Sequence, residues 1–331
     1  MSEFLKIGNI EVEKGMKKSG LIKVAERSLF SINLPITILN GIKPGPTLCI
    51  SAGQHSCEYT GIETCIRLSK NLNPREMNGA VIILPVLNIL GFQARVPYYE
   101  DAMASSRLYS VMTENLFNEV IAKSNYWINF HGGELMESMP IPYVMYGGTG
   151  EEEVDEISKG LAKCFDVEYL LERSAPLEVK PKRFYGWMKA GDRARVLAKL
   201  KIPSIVPEAG HEGKLEEKFV TIFYKGAINV LKHLEMIEGK PTFPTVEQKI
   251  IRKWTYVTTE RGGLFYSNFK VGDIVSKGEI LGELRNIRGE IIKKIIAPMN
   301  GMILLKVNTL PWDIALGGGA NLLFLICEVP G

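Results

Sequence analysis

The sequence predicts an α/β protein, with a mixed central sheet flanked by helices and a small all-β domain at its C-terminal end. Two patterns support this fold class. Up to residue 236, short apolar stretches that end in small or turn-forming residues alternate with stretches of helical periodicity, as in α/β proteins. Beyond residue 244 the helical periodicity stops, and short strands punctuated by glycine follow. The chain of 331 residues is long enough for about two domains.

The spacing of apolar residues assigns the individual elements in chain order. The predicted strands cover residues 21–24, 34–38, 47–53, 80–86, 126–130, 167–171 and 202–207, and the predicted helices cover residues 60–72, 151–165 and 214–236. In the first helix, Thr60 and Glu63 are spaced to form a capping box. The third helix is long and amphipathic, and a segment rich in glycine and proline follows it. We place the domain boundary in that segment, which gives domains of residues 1–240 and 241–331.

Composition limits the classes of function. Lys and Arg number 40 and Asp and Glu number 37, so the formal net charge is only +3. Such a balance offers no broad basic surface for nucleic acid or for an acidic membrane, and we expect neither partner. No apolar run approaches the roughly 20 residues that span a bilayer, and the N-terminus lacks the pattern of an export signal. Five cysteines without a Cys-x-x-Cys pair fit a reducing compartment, so we expect a cytoplasmic protein.

Residues 53–58 carry the most informative chemistry, because they follow a predicted buried strand and contain His55 and Glu58. These two residues are three positions apart, so one helical turn would put both side chains on the same face, from which both can reach one ion. His131 directly follows the predicted strand 126–130, and the two glycines after it permit a close approach of the backbone. Imidazole nitrogens and carboxylate oxygens are standard zinc ligands, and three protein ligands leave a position for water. The sequence therefore predicts a catalytic zinc site formed by His55, Glu58 and His131.

A hydrolytic zinc site also needs a base beside the water and a cation near the developing oxyanion. Glu208 emerges at the end of the predicted strand 202–207 and is the candidate general base. Arg95 and Arg107 follow an earlier strand, and a guanidinium there can polarise a carbonyl or hold a carboxylate. His211 lacks the second histidine four positions later that a His-Glu-x-x-His metalloprotease motif requires.

These segments together resemble the succinylglutamate desuccinylase/aspartoacylase family, which contains deacylases related to zinc carboxypeptidases. Residues 53–58, Gly-Gln-His-Ser-Cys-Glu, resemble the Gly-x-His-Gly-x-Glu zinc motif of the family. Residues 131–133 resemble its third-ligand segment, and residues 203–210 resemble its Pro-x-x-x-x-Glu-x-Gly stretch, whose Glu is general base and acid. The resemblance covers nearly the whole chain. It implies a zinc carboxypeptidase-like fold, one zinc ion per chain, and a catalytic domain in residues 1–240.

The stretch from Asn88 through Arg95 to Ser106 and Arg107 resembles the Asn…Arg…Asn-Arg loop of the family. The resemblance implies that Arg95 stabilises the oxyanion and that Arg107 holds a substrate carboxylate. It also implies substrate contacts for Ser106 and Asn88. Ser106 stands where the family usually has Asn, so one substrate-binding donor is shortened. Asn129 stands where an Asp is common, and the loss of that carboxylate weakens the orientation of the third ligand.

Residues 271–301 are similar to the β-domain of deacylases in this family and to lipoyl or biotinyl domains. The turn that would carry a modified lysine lies around Arg288 and Gly289, where the lysine signature is missing. We therefore expect an unmodified, structural β-domain.

The sequence as a whole predicts a zinc-dependent amide hydrolase that removes a small acyl group from an N-acyl amino acid or a related amine. The expected partner is thus a small N-acyl substrate, and homo-oligomerisation is left open. Two alternatives also remain: a metallocarboxypeptidase that acts on peptide C-termini, and a non-catalytic homologue that binds a small molecule.

Overall fold

The structure is a computed structural model, and it describes residues 3–96, 107–173, 197, 199–242, 244–307 and 321–329. The strands are β1 (Phe4–Ile7), β2 (Ile10–Glu13), β3 (Met16–Glu26), β4 (Ser31–Asn40), β5 (Lys43–Ser51), β6 (Asn78–Leu84), β7 (Tyr126–Asn129), β8 (Glu137–Gly147), β9 (Tyr169–Arg173), β10 (Ser204–His211), β11 (Lys249–Ile251), β12 (Trp254–Thr259), β13 (Leu264–Tyr266), β14 (Ile274–Val275), β15 (Ile280–Arg285), β16 (Ile291–Ile296), β17 (Gly301–Val307) and β18 (Asn321–Cys327). The α-helices are α1 (Tyr59–Asn71), α2 (Ile89–Ala94), α3 (Arg107–Glu119), α4 (Glu152–Ala162) and α5 (Glu217–His233).

A large mixed sheet organises the molecule. Its strand order is β12-β18-β17-β8-β10-β7-β5-β6-β4-β3, with β9, β11 and β14 attached to it. The strands at its centre, β6, β5, β7 and β10, run parallel to one another. Antiparallel pairs extend the sheet on both sides. The predicted α/β class with a mixed central sheet and flanking helices is confirmed.

Both faces of the central strands are buried, because successive side chains of a strand point to opposite faces. On β5, Ile50 lies in the cluster formed with α1 and α5, whereas Cys49 lies in the cluster that α3 covers. The core below α5 includes Phe130 and Phe223, whose rings stack at a centroid distance of 4.8 Å. No helix within the described ranges combines the length and apolar character needed to cross a membrane.

The predicted capping box of α1 is wrong. The helix begins at Tyr59, so its N-cap residue is Glu58, and no side chain caps the helix. Thr60 therefore lies inside the first turn, and Glu63 pairs instead with Arg67 at 2.8 Å between Oε1 and Nε. The N-cap residue, Glu58, directs its carboxylate toward His55 and not toward the N–H groups of the helix.

The described residues beyond 244 form strands, most of them antiparallel. Strand β17 pairs with β8 at Lys306 and Val307, so the central sheet continues into this part of the chain. The division into domains of residues 1–240 and 241–331 stays a prediction.

We expect the substitution Gly226→Ala in α5 to destabilise the protein by about 1–3 kcal/mol through overpacking of the core. A Cβ at Gly226 would collide with the ring of Phe165, which is fully buried and has no room to move. Chemical denaturation followed by circular dichroism measures the change.

The matched control is Gly160→Ala in α4, where a Cβ would meet only the exposed His233, at 3.4 Å from its Nε2. Since alanine favours the helix, this variant should be as stable as the wild type or more stable by about 0.5–1 kcal/mol. Equal stability of the two variants would contradict the packing argument.

Candidate metal centre

The segment between β5 and α1 folds into a tight turn that holds two of the predicted ligands. Gly53 has φ +64°, and a Cβ there would lie 3.1 Å from both Pro85 O and Val86 Cα. The turn is closed by a hydrogen bond from Glu58 N–H to His55 O of 3.2 Å. The two side chains are therefore brought together by a turn that precedes the helix, not by one face of the helix.

His131 reaches the same place from the next strand of the sheet. Ser51 at the end of β5 is in register with Asn129 at the end of β7, so the segments that follow lie side by side. The glycine predicted to allow close approach does so: a Cβ at Gly132 would collide with Ala209 O. The His131 N–H donates to Pro207 O at 2.9 Å, which ties this segment to β10.

The three predicted ligands converge on one point. His55, Glu58 and His131 each offer a ligand atom within 4.8 Å of the other two, and they are the one such group in the described part of the chain. Both imidazoles present Nδ1 to the Glu58 carboxylate, at 2.6 Å for His55 and Oε1 and 3.2 Å for His131 and Oε2. The two rings lie 5.0 Å apart at 72°.

This donor set fits a zinc ion. Two imidazoles and one carboxylate are a combination that catalytic zinc sites use. Oε2 of Glu58 is buried and lies 3.2 Å from Nδ1 of His131, itself a predicted ligand, so a cation placed between them would be bound by both. A buried carboxylate without full compensation is costly, and a divalent cation supplies that compensation.

The protonation of the cluster follows from its burial and its charges. Burial favours neutral forms, but the Glu58 carboxylate outweighs it and raises the pKa of His55 to about 9. Conversely, His55 and His131 overcome the burial of Glu58 and hold its pKa at about 2. The cluster alone thus carries a proton near neutral pH, and a bound metal would displace it.

The far side of the His131 ring contacts two amides. Nε2 lies 2.9 Å from Asn129 Nδ2 and 3.2 Å from Gln54 Oε1. Asn129 is held by Ser51 Oγ, which donates to its Oδ1 at 2.8 Å. Asn129 Nδ2 can only donate, so in this geometry Nε2 accepts from it and Nδ1 carries the His131 proton toward Glu58. When Nδ1 binds a metal, Nε2 carries the proton instead, and Gln54 Oε1 is the acceptor within reach.

Glu208 lies on β10 directly beside His131, since the two residues form a parallel bridge. It is partly buried, and burial together with the Glu58 and Glu137 carboxylates raises the pKa of Glu208 well above its usual range. Across the sheet it is in register with Tyr143, a buried residue whose pKa is also raised by burial and by Glu208.

The structure describes only some of the side chains that were predicted to contact the substrate or its oxyanion. Arg95 ends α2 with φ 59° and is exposed, and it counteracts the burial that raises the pKa of the nearby Tyr59. Asn88 is buried and caps α2, accepting a hydrogen bond from Gly91 N–H at 2.9 Å. Ser106 lies outside the described residues, and so does the side chain of Arg107, the first residue of α3.

Sequence reasoning missed two carboxylates near the cluster, Glu134 and Glu137. Burial raises the pKa of Glu134 to about 7, against the opposing effect of His55. Burial and the Glu134 carboxylate raise the pKa of Glu137 to about 8. The available signal was the position of both residues within six positions of His131, just after a predicted strand end.

Comparison with known proteins agrees with the motifs. The model of the succinylglutamate desuccinylase/aspartoacylase catalytic domain matches residues 44–108. An N-alpha-acetyl-L-2,4-diaminobutyric acid deacetylase from Halomonas elongata is 23% identical over 272 residues, which are 77% of this chain and 74% of the relative.

Solved structures share the fold over the whole chain. The product-bound ectoine utilization protein EutE (DoeB) from Ruegeria pomeroyi superimposes with a TM-score of 0.78 at 17% identity, covering 99% of both chains. A succinylglutamate desuccinylase/aspartoacylase from Rhodobacter sphaeroides gives a TM-score of 0.75 at 18% identity, covering 100% of both chains. These structures share the fold of this chain, and the family model over residues 44–108 and the Halomonas relative agree with the predicted resemblance to the succinylglutamate desuccinylase/aspartoacylase family.

Proposed function

We propose that the protein is a zinc-dependent amide hydrolase that removes a small acyl group from an N-acyl amino acid or a related amine. The observation that carries the proposal is the convergence of His55, Glu58 and His131 within 4.8 Å, beside a carboxylate on the adjacent strand. One zinc ion per chain would be held by these three residues. The small N-acyl compound is then the expected partner.

The relatives support the same class of reaction. The Halomonas relative is a deacetylase of an N-acetylated amino acid, and removal of an acetyl group from nitrogen is the hydrolysis of an amide. The matching family model describes a desuccinylase/aspartoacylase catalytic domain. We also propose that residues 1–240 share the arrangement of zinc carboxypeptidases and form the catalytic domain, with residues 241–331 as the β-domain.

Glu208 is the proposed general base and acid. His55, Glu58 and His131 would hold a zinc ion, which would supply Lewis acidity toward the scissile carbonyl and lower the pKa of a water to about 7. The Glu208 carboxylate takes a proton from the attacking water and returns it to the nitrogen as the C–N bond breaks. Its raised pKa suits the second step, and a nearby cation would shift that pKa downward, the direction that the first step needs.

The remaining predicted residues have supporting roles in the proposal. Arg95 would stabilise the oxyanion with its guanidinium, and Arg107 would hold a substrate carboxylate. Ser106 and Asn88 would contact the substrate beside Arg107. For Asn88, the hydrogen bond that it accepts from Gly91 also fixes the start of α2, which leads to Arg95.

The substitution Glu208→Gln should lower kcat by roughly 10²–10⁴-fold, because the amide cannot accept the proton of the attacking water. Zinc content should stay at the wild-type level, since Glu208 is not one of the proposed ligands. The measurement is steady-state hydrolysis of a panel of N-acyl amino acids, with metal content by atomic emission. Near-normal turnover would remove Glu208 from the mechanism, and faster cleavage of peptides with free C-termini would favour a carboxypeptidase.

We expect about one equivalent of zinc in the purified protein and loss of hydrolysis when a chelator removes it. Re-addition of zinc should restore the rate, because two of the three ligands follow the ends of central strands and the third begins α1. The double variant His55→Ala with His131→Ala should neither retain zinc nor respond to it. Full activity of the metal-free wild type would contradict the proposed zinc dependence.

Gln54→Ala should weaken zinc affinity by about tenfold, since His131 loses the acceptor for its Nε2–H. Competition with a chromogenic chelator measures the affinity. Gln93→Ala, in an exposed position on α2, is the control and should bind zinc as the wild type does. Equal affinity in both variants would show that Gln54 does not position the ring.

A further inference from the structure

The His211-Glu212 pair, which the sequence does not complete to a metalloprotease motif, has no role in the proposed function. His211 is also not one of the candidate metal ligands, which among the described residues are His55, Glu58 and His131 alone. In the structure, Nδ1 of His211 lies 2.7 Å from a serine hydroxyl on the neighbouring strand. A histidine in contact with a serine is the arrangement on which nucleophilic catalysis by serine depends.

The serine is Ser138, near the start of β8. It is in register with His211 at the end of β10, so the two side chains share one face of the sheet. The distance of 2.7 Å between Ser138 Oγ and His211 Nδ1 is that of a direct hydrogen bond. A base at this distance can take the hydroxyl proton when the serine oxygen forms a bond to carbon.

Glu212 lies behind the imidazole and sets its tautomer. Its Oε2 is 3.4 Å from Nε2 of His211. An ionised carboxylate can only accept, so Nε2 carries the ring proton and Nδ1 is left to accept from the serine hydroxyl. Glu212 has φ 50°, a left-handed conformation that residues with a side chain rarely adopt. The surrounding structure holds this conformation, in part through the hydrogen bond from Glu212 N–H to Glu137 O of 2.9 Å. The ring is thus held in the form that a base needs.

A lysine lies on the other side of Ser138. Lys306 on β17 is in register with Ser138, so it shares the face that carries the serine and the histidine. Its half-buried ammonium donates to Ser267 O at 3.1 Å, which uses one of its three N–H groups. The serine is therefore on the middle strand, between a base on β10 and a cation on β17. A cation there can stabilise the charge that develops on a carbonyl oxygen when the serine attacks.

The histidine reaches solvent, whereas the serine is nearly covered. The side chains of His211 and Glu212 are each 32% exposed, and Ser138 is 7% exposed. A reactant must therefore approach past the imidazole, and a small acyl group meets that limit best. A structural tie between two strands would need neither the carboxylate behind the ring nor the cation on the third strand.

Lys306 is the donor for the oxyanion, because the backbone N–H groups that follow His211 are already used. Glu212 N–H donates to Glu137 O at 2.9 Å, and Gly213 N–H donates to Gly133 O at 3.0 Å. One ammonium group stabilises an oxyanion less than a preorganised set of several donors does. The site therefore suits an ester, because an alcohol leaves the tetrahedral intermediate more readily than the amine of an amide.

We propose that Ser138, His211 and Lys306 form a second, metal-independent site that hydrolyses small carboxylic esters, with Ser138 as the nucleophile. His211 Nδ1 takes the proton of Ser138 as Oγ forms a bond to the ester carbonyl carbon, and the carbonyl oxygen receives the electron pair beside Lys306. The alcohol leaves as its C–O bond breaks, and it takes the proton from His211. Water then attacks the acyl-serine in the same way, which releases the carboxylic acid and restores Ser138.

The first test measures hydrolysis of p-nitrophenyl acetate by the full chain after a chelator has removed metal. We expect the ester to be hydrolysed at the same rate with and without added zinc, because none of the three groups is a proposed metal ligand. Ester hydrolysis that disappears with the metal and returns with zinc would belong to the metal centre, and it would overturn the inference.

A fluorophosphonate identifies the nucleophile without any substitution. An activated serine oxygen forms a bond to its phosphorus and fluoride leaves, so the label stays on the reactive residue. Peptide mass spectrometry of the metal-free full chain should find the label on Ser138, and labelled protein should no longer hydrolyse the ester. A label on another residue, or an unlabelled Ser138, overturns the inference even where a variant fails to fold.

Substitutions then separate the three roles. Ser138→Ala and His211→Ala should each lower kcat/KM for the ester by about 10²-fold or more, because the nucleophile or its base is lost. Lys306→Met removes the charge and should lower kcat by about tenfold or more. The matched control is Ser19→Ala, since Ser19 Oγ pairs with the Thr37 hydroxyl at 2.9 Å and not with an imidazole. Circular dichroism establishes that each variant folds. An unchanged rate in folded Ser138→Ala overturns the inference, whether or not N-acyl amino acids are hydrolysed.

Discussion

The carboxylate of Glu58 is the buried charge that the centre of this protein must compensate. It is 2% exposed, and transfer of a carboxylate from water into the interior is unfavourable unless opposite charge or donors surround it. His55 and His131 provide that compensation from two different strand ends, each through Nδ1. The turn after β5, the register of β5 against β7 and the start of α1 together bring these three side chains to one place, and the N-cap residue of α1 serves the cluster and not the helix.

The sequence predicted the positions of the site residues from the ends of the predicted strands, so each position is as reliable as the strand end it was read from. Neighbouring parallel strands bring His131, after β7, beside Glu208 on β10. The sequence placed Glu208 at the end of a strand, which is wrong, because β10 continues to His211 with a register shift after Glu208. The capping box was predicted from local spacing alone, but the position of the helix start goes with the contacts of Glu58 to His55 and His131. Thr60 and Glu63 have the right spacing, but the helix starts where the turn from His55 to Glu58 ends.

The burial of Glu134 could not be found in this way, because it depends on distant segments. Read locally, Glu134 and Glu137 are acidic residues in a turn, where such side chains usually lie on the surface. Glu134 is buried although the next residue, Leu135, is exposed, and β8, which begins at Glu137, pairs with β10 on one side and with β17 on the other. Strand β8 was itself missed, since Pro140 and Pro142 argue against a central strand. Where these prolines fall, β8 makes no pairs with β10, so the strand tolerates them.

The amides behind His131 complete the balance of charge. The family resemblance leads to the expectation of Asp at position 129, where this chain has Asn. A carboxylate there would add a fifth acid to a region that already holds Glu58, Glu134, Glu137 and Glu208, and each further buried charge raises the cost of the others. Asn129 and Gln54 orient the imidazole through dipoles and add no charge. The His131 ring thus has a carboxylate at Nδ1 and only neutral amides at Nε2.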